Sequence, residues 1–133
     1  MSNLKSKYFF GKYVDYGFEE AIERVTAALK HEGFGVLTEF EMSKTFKEKL
    51  GVEFKRYKVL GACHPQSAYR GVQAEDKLGV LLPCNVIIEE HEIGSVEVTA
   101  VDPVVLLQVI DNAALADLGY EIRSKMVRVI DLL

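Results

Sequence analysis

Tryptophan is absent from this chain, cysteine occurs twice, and proline and methionine occur three times each. Two cysteines are too few for the disulfide framework of a small secreted domain, and no C-x-x-C spacing suggests a zinc finger or ribbon. No apolar run approaches the roughly 18 residues that a membrane span requires. Charge of one sign is not in excess either: 16 Lys and Arg stand against 20 Asp and Glu, a net of −4, interspersed along the chain. That balance lacks the basic patch selected by nucleic acid or an anionic membrane, so neither is expected as a partner. Residues 1–14 mix Lys5, Lys7 and Lys12 with Tyr8, Phe9 and Phe10, without the roughly 7–15-residue apolar core of a secretory signal. The chain therefore reads as cytoplasmic, with its cysteines reduced. A Gly-rich phosphate loop, H-E-x-x-H and G-x-S-x-G are also missing. Gly33-Phe34-Gly35 follows a helical pattern and precedes a strand, the wrong order for a dinucleotide fingerprint.

What is present suffices for one domain. The 133 residues are 49% hydrophobic and 27% charged, ordinary for a globular protein large enough to bury a core. Repeats, low-complexity tracts and Pro/Gly/Ser linkers do not occur, so residues 1–133 are expected as a single domain, with residues 1–6 a candidate for disorder.

Periodicity predicts the elements. A first strand covers Lys7–Val14. Phe18, Ile22, Val25 and Leu29 then recur at helical spacing up to Gly33, a left-handed cap. A second strand spans Gly35–Glu41, with Val36, Thr38 and Phe40 on one face and Leu37, Glu39 and Glu41 on the other. Ser43 caps a short helix over Lys44–Leu50. The third strand runs Phe54–His64, and Pro65 opens a helix through Ala74, where its missing N–H is an orphan anyway. A fourth strand is expected over Val80–Ile88, a loop through Glu90–Gly94, and a fifth strand over Ser95–Val101. Asp102-Pro103 reads as an N-cap and first turn, Val104–Ile110 as a segment buried on more than one side, and Ala113–Leu133 as a final helix. The order is β-α-β(4)-α. Four consecutive strands after one crossover favour an α+β fold of two layers, an antiparallel sheet with the main helices packed on one face.

The rare residues gather between Tyr57 and Ile88, which hold both cysteines and two of the prolines. If strands three and four pair antiparallel, Cys63 and Cys84 meet at one end of the sheet, and alternation turns both thiols toward the apolar layer. The favoured reading is two small core hydrophobes. The competing reading is a site of Cys63, His64, Pro65, Pro83, Cys84 and Asn85. Pro83 breaks the ladder beside Cys84, and His64 stands where a helix N-terminus could lower a thiol pKa. Cys63, His64 and Cys84 offer only three soft ligands, too few for a closed structural zinc site, so no metal is expected. His31 and His91, flanked by glutamates, read as solvated, as does the Glu89-Glu90-Glu92 cluster of the hairpin loop.

Gly33-Phe34-Gly35-Val36-Leu37-Thr38-Glu39, Lys49-Leu50-Gly51-Val52, Tyr57 to Pro65, Leu81-Leu82-Pro83-Cys84-Asn85-Val86 and Val101-Asp102-Pro103 follow, in order and spacing, the pattern of the family named domain of unknown function 302. The chain resembles that family from about Tyr16 onward. The resemblance implies a β-α-β(4)-α antiparallel fold and a homodimer, and marks Cys63, Pro65, Pro83, Cys84, Asn85 and Asp102 as motif positions with no catalytic role attached. Members commonly carry asparagine where this chain has His64.

Two functions from different classes are carried forward. The first is a dimeric binding or interaction module that takes a small apolar or metal-containing ligand in the helix–sheet interior or the dimer cleft. The second is a thiol-dependent redox or transfer enzyme using Cys63 and Cys84. No recognisable general base accompanies the thiols, which favours the first; the residues specify no cofactor.

Overall fold

A computed structural model describes residues 4–133. In chain order it contains β1 (Leu4–Lys5), β2 (Phe9–Val14), α1 (Phe18–His31), β3 (Gly35–Glu41), α2 (Met42–Leu50), β4 (Tyr57–Cys63), α3 (Pro65–Ala74), a 3₁₀ turn (Asp76–Leu81), β5 (Cys84–Glu92), β6 (Ser95–Val101), α4 (Pro103–Leu107) and α5 (Ala114–Asp131). All strands pair antiparallel in one sheet, ordered β1-β2-β6-β5-β4-β3. Helices α1 and α5 pack on one face, the expected α+β arrangement. Leu4 and Lys5 pair with Gly11 and Phe10; residues 1–3 of the stretch expected as a candidate for disorder lie outside the described residues.

Local chemistry accounts for most element ends. Glu19 and Glu20 sit in the first turn of α1, where the helix dipole favours carboxylates. At its other end Gly33 adopts φ +86°, and the N–H of Phe34 returns to the carbonyl of Leu29 at 2.9 Å, the Schellman closure. Pro65 opens α3 and Pro103 opens α4, each in the first turn. The Asp102 carboxylate accepts the Val104 N–H at 3.0 Å as the N-cap of α4. Its other oxygen lies 3.1 Å from the Arg123 Nε of α5. Asp102 thus joins the sheet end, α4 and α5.

Register assigns every strand residue a side. Opposed residues of an antiparallel ladder share a face, so the pairs Leu60↔Val86, Ala62↔Cys84, Val86↔Ala100 and Ile88↔Val98 all point toward α1 and α5. There they meet Val25, Leu29, Leu118, Met126 and Val129 in one cluster. The opposite face carries Tyr13, Phe40, Tyr57, Val59, Ile87, Glu89, Glu97 and Thr99. Helix α2 buries none of its residues and reaches the sheet through the ring contacts Phe46–Phe54 and Phe54–Tyr57, at centroid distances of 5.3 and 6.3 Å.

Several expected boundaries are corrected. Ser43 lies inside α2, where its hydroxyl donates to Glu41 at 3.0 Å, so it is not the cap. The third strand is Tyr57–Cys63, with His64 the N-cap of α3. The fourth strand is Cys84–Glu92, not Val80–Ile88. Pro83 has no N–H for the ladder, so pairing begins after it, and the apolar run before it forms the 3₁₀ turn with Val80 81% exposed. The hairpin loop contracts to Ile93-Gly94, because the strand continues through His91 with a register shift between Glu90 and Glu92. A second shift, between Val36 and Thr38, places those two residues on opposite faces and leaves Leu37 66% exposed. Helix α4 stops at Leu107; Val109 beyond it is exposed, against the expectation of burial on several sides.

Core and surface leucines should separate cleanly under mutation. Leu29 is fully buried, so Leu29→Ala is expected to cost about 2–5 kcal/mol in urea unfolding. Leu37→Ala, at the exposed bulge, should stay within about 0.5 kcal/mol.

Candidate functional site

The cysteines do not form a pair. Ala62 is opposed to Cys84, so Cys84 points into the helix layer at 5% exposure, while alternation puts Cys63 on the other side of the sheet. The expectation that both thiols face the apolar layer fails for Cys63, because one residue along a strand reverses the face. Both belong to interior strands, at their ends. Burial is the first cause of a raised pKa at each thiol, and it pushes Cys84 up to about 11, with the nearby Cys63 adding to it. Neither is an activated thiol.

Around this strand end the other motif residues have structural duties. Pro83 follows a cis peptide bond and covers Gly61, where an added Cβ would stand 2.6 Å from the proline ring and overlap the Thr38 hydroxyl. Only glycine fits there. The His64 ring packs edge-on against Phe34 at 5.4 Å and crowds Gly33, where an added Cβ would lie 3.0 Å from Nε2. His64 Nδ1 meets the Ser67 backbone N–H at 3.4 Å and the Ser67 hydroxyl at 2.9 Å. Since the backbone N–H must donate, Nδ1 is the acceptor and the ring proton resides on Nε2. Ser67, which the sequence reasoning missed, is buried at 3% and serves the cap of α3. The cavity bounded by Cys63, His64, Ser67, Cys84, Leu82 and Leu106 measures about 20 Å³. It holds one water-sized molecule and no larger ligand.

A larger recess than this cavity lies across the sheet. On the face without α1 and α5, a groove of about 360 Å³ is lined by Tyr8, Phe9, Tyr57, Asn85, Ile87, Glu89, Glu97, Thr99, Ala100 and Val101. Asn85 is the one residue of the expected site to line it. Cys84 and Asn85 are consecutive, so alternation sends one into the core and the other to this face. Burial, then the charge of Glu89, raises the Tyr57 phenol above its ordinary pKa, which keeps it a neutral O–H donor.

At one end of the groove polar groups converge. Glu89 and Glu97 are directly opposed across β5 and β6. Lys55 Nζ lies 2.8 Å from Glu89 Oε2 and 3.3 Å from His91 Nδ1, and His91 Nε2 is 2.6 Å from Glu97 Oε1. The Thr99 hydroxyl donates to the second Glu97 oxygen at 3.1 Å. Glu89 and His91 were expected in a solvated loop; Glu89 is 9% exposed. The signal that could have found them is the alternation of β5 continued past Ile88, with Ile87, Glu89 and His91 in step.

Burial depresses the His64 pKa below 6.5, helped by the Lys125 charge and opposed by Glu121, both on α5. A depressed folded pKa means that the full stability is present above the unfolded value and is lost as pH falls through the folded one. Between about pH 7.5 and pH 5 the urea midpoint of the native chain should therefore fall further than that of His64→Asn. Parallel curves would refute the assignment.

Comparisons with known proteins agree with this geometry. The family model described as "Domain of unknown function DUF302" matches residues 10–133. Among solved structures, the uncharacterized conserved protein DUF302 from Bacillus stearothermophilus superposes with a TM-score of 0.87 at 29% identity, covering 96% of this chain and 98% of that one. No curated protein matches. No helix among the described residues is long and apolar enough to cross a membrane. A match over nearly the whole chain, with the same architecture, places the protein in the family described as domain of unknown function DUF302.

Proposed function

We propose that this chain is a dimeric binding module that accepts a small, largely apolar ligand on the uncovered face of its sheet. The observation that carries this reading is the groove of about 360 Å³ between the aromatic side chains of Tyr8, Phe9 and Tyr57 over a floor that includes Ile87 and Val101. Its size lies within the range of small-molecule sites, and beside its apolar walls it offers the Asn85 amide, the Thr99 hydroxyl and the Tyr57 phenol, with the Glu89 and Glu97 carboxylates at one end. The cavity beside the cysteines, at about 20 Å³, is too small for the same task.

The homodimer rests on the family resemblance, and the same face supports it. Tyr13 and Phe40 lie on it at 49% and 47% exposure. They stand on β2 and β3, on either side of the aromatic-lined groove, so exposed aromatic rings run across this face, as on an interaction surface. A second copy closing over this face turns the groove into a cleft between two sheets.

The thiol-dependent alternative has little in its favour. Cys84 is buried with its pKa pushed up to about 11, Cys63 is raised as well, and the two point to opposite faces.

Nile red is a suitable neutral probe of the groove. Saturable binding with a blue-shifted emission is expected, and Ile87→Arg should abolish it while leaving the circular dichroism unchanged. Absence of saturation in the native chain overturns the ligand reading. Sedimentation should report the mass of two chains, falling to one in Phe40→Glu; a monomer at every concentration overturns the dimer alone. With iodoacetamide at neutral pH, Cys84 should remain unmodified until the chain unfolds, and rapid alkylation of both thiols in the folded protein would revive the thiol reading.

A further inference from the structure

The acidic end of the groove holds a combination that the apolar ligand does not use. Glu89 and Glu97 face each other directly across two strands, with side chains only 11% and 14% exposed. Like charges in that position destabilise a sheet unless something between them carries the opposite sign. Lys55 supplies one positive charge, to Glu89. Among the described residues, Glu97 pairs with His91 and takes a hydrogen bond from Thr99 but has no lysine or arginine partner. Two carboxylates against one ammonium leave the cluster short of one positive charge whenever His91 is neutral.

The donor set is also chemically specific. One ligating atom each from Glu89, His91 and Glu97 lies within 4.8 Å of the others. Nitrogen and carboxylate donors suit a borderline divalent transition ion, with bonds of about 2.0–2.2 Å that bring neighbouring donors to roughly 3.5 Å. His91 follows Glu89 by two residues, so alternation keeps it on the same side, and the register shift between Glu90 and Glu92 leaves it without a partner residue in the β6 ladder. The site opens into the groove, so an ion bound there would keep free positions toward any molecule lying over Ile87 and Val101.

We propose that Glu89, His91 and Glu97 form a three-ligand site for a divalent transition-metal ion, in which the Lys55 ammonium is the resident cation that the metal displaces. The reading rests on the uncovered face being a binding face and adds a cation to it. Lys55 is suited to yield: its side chain is 31% exposed, and a flexible four-carbon stem can carry the ammonium into solvent without loss of core packing. The proton balance is simple, because the ion takes ionised carboxylates and a neutral imidazole.

Calorimetric titration with Zn(II) alone tests the site. One ion per chain is expected. His91→Ala should weaken binding by roughly 10–100-fold or more, since loss of a ligand costs at least what loss of its supporting shell does. Lys55→Met, which removes the competitor, should bind several-fold more tightly, and Cys63→Ser should bind as the native chain does. Circular dichroism of His91→Ala, a surface substitution, guards against loss of fold. Co(II) should bind without a thiolate charge-transfer band. Absence of saturable uptake, retention of full affinity in His91→Ala, or loss of affinity in Cys63→Ser would each overturn the proposal. If Zn(II) fails to bind while Nile red still saturates, the cation site falls and the groove stands; Zn(II) uptake without Nile red binding gives the converse.

Discussion

The register between β4 and β5 commits the rest of the sheet. Pairing Leu60 with Val86 and Ala62 with Cys84 directs an unbroken apolar set at α1 and α5, and β6 continues it with Val96, Val98 and Ala100, all fully buried. A slip of one residue would turn Asn85 and Glu89 into the helix layer and expose Val86 and Ile88, an exchange that burial energy forbids at about 25 cal/mol per Å². Because β4 and β5 are interior strands, their register propagates to β3 on one side and to β6 and β2 on the other. Helices cover one face only, and the groove follows from that one-sidedness.

The motif at the end of β4 acquires a plain meaning in this frame. Pro65 and Asp102 begin helices, Pro83 delays the ladder and covers Gly61, and His64 closes the N-terminus of α3 while its ring packs on Phe34. Asparagine in place of His64 could cap the helix equally well. Cys84 behaves as a small core hydrophobe whose environment disfavours its thiolate. The signature that identifies the family is largely a description of how strands end and helices begin.

Polar chemistry sits instead where the sheet is bare. Opposed carboxylates on a largely buried part of the sheet are held by the Lys55 ammonium, the His91 imidazole and the Thr99 hydroxyl. Its position beside aromatic and aliphatic walls joins a charge-sensitive end to an apolar trough in one recess.

The amino-acid sequence by itself determined the elements whose causes are local: the α1 stripe of Phe18, Val25 and Leu29 with its Gly33 stop, the Pro65 and Asp102-Pro103 helix starts, the strand pairing of β4 with β5, and the two-layer α+β plan. Those rest on periodicity, caps and turns spanning a few residues. Tertiary structure alone decided which side each strand residue faces once a bulge or a delayed strand start intervenes. Alternation along β4 allowed either Tyr57, Val59 and Cys63 or Leu60 and Ala62 to face the helices, and pairing with Val86 and Cys84 selects the second set, which separates Cys63 from Cys84. Tertiary structure also decided that Glu89, His91, Glu97 and Lys55 meet. They come from two strands and a loop, and no local pattern of charge distinguishes a carboxylate on a buried sheet floor from one in a solvated turn.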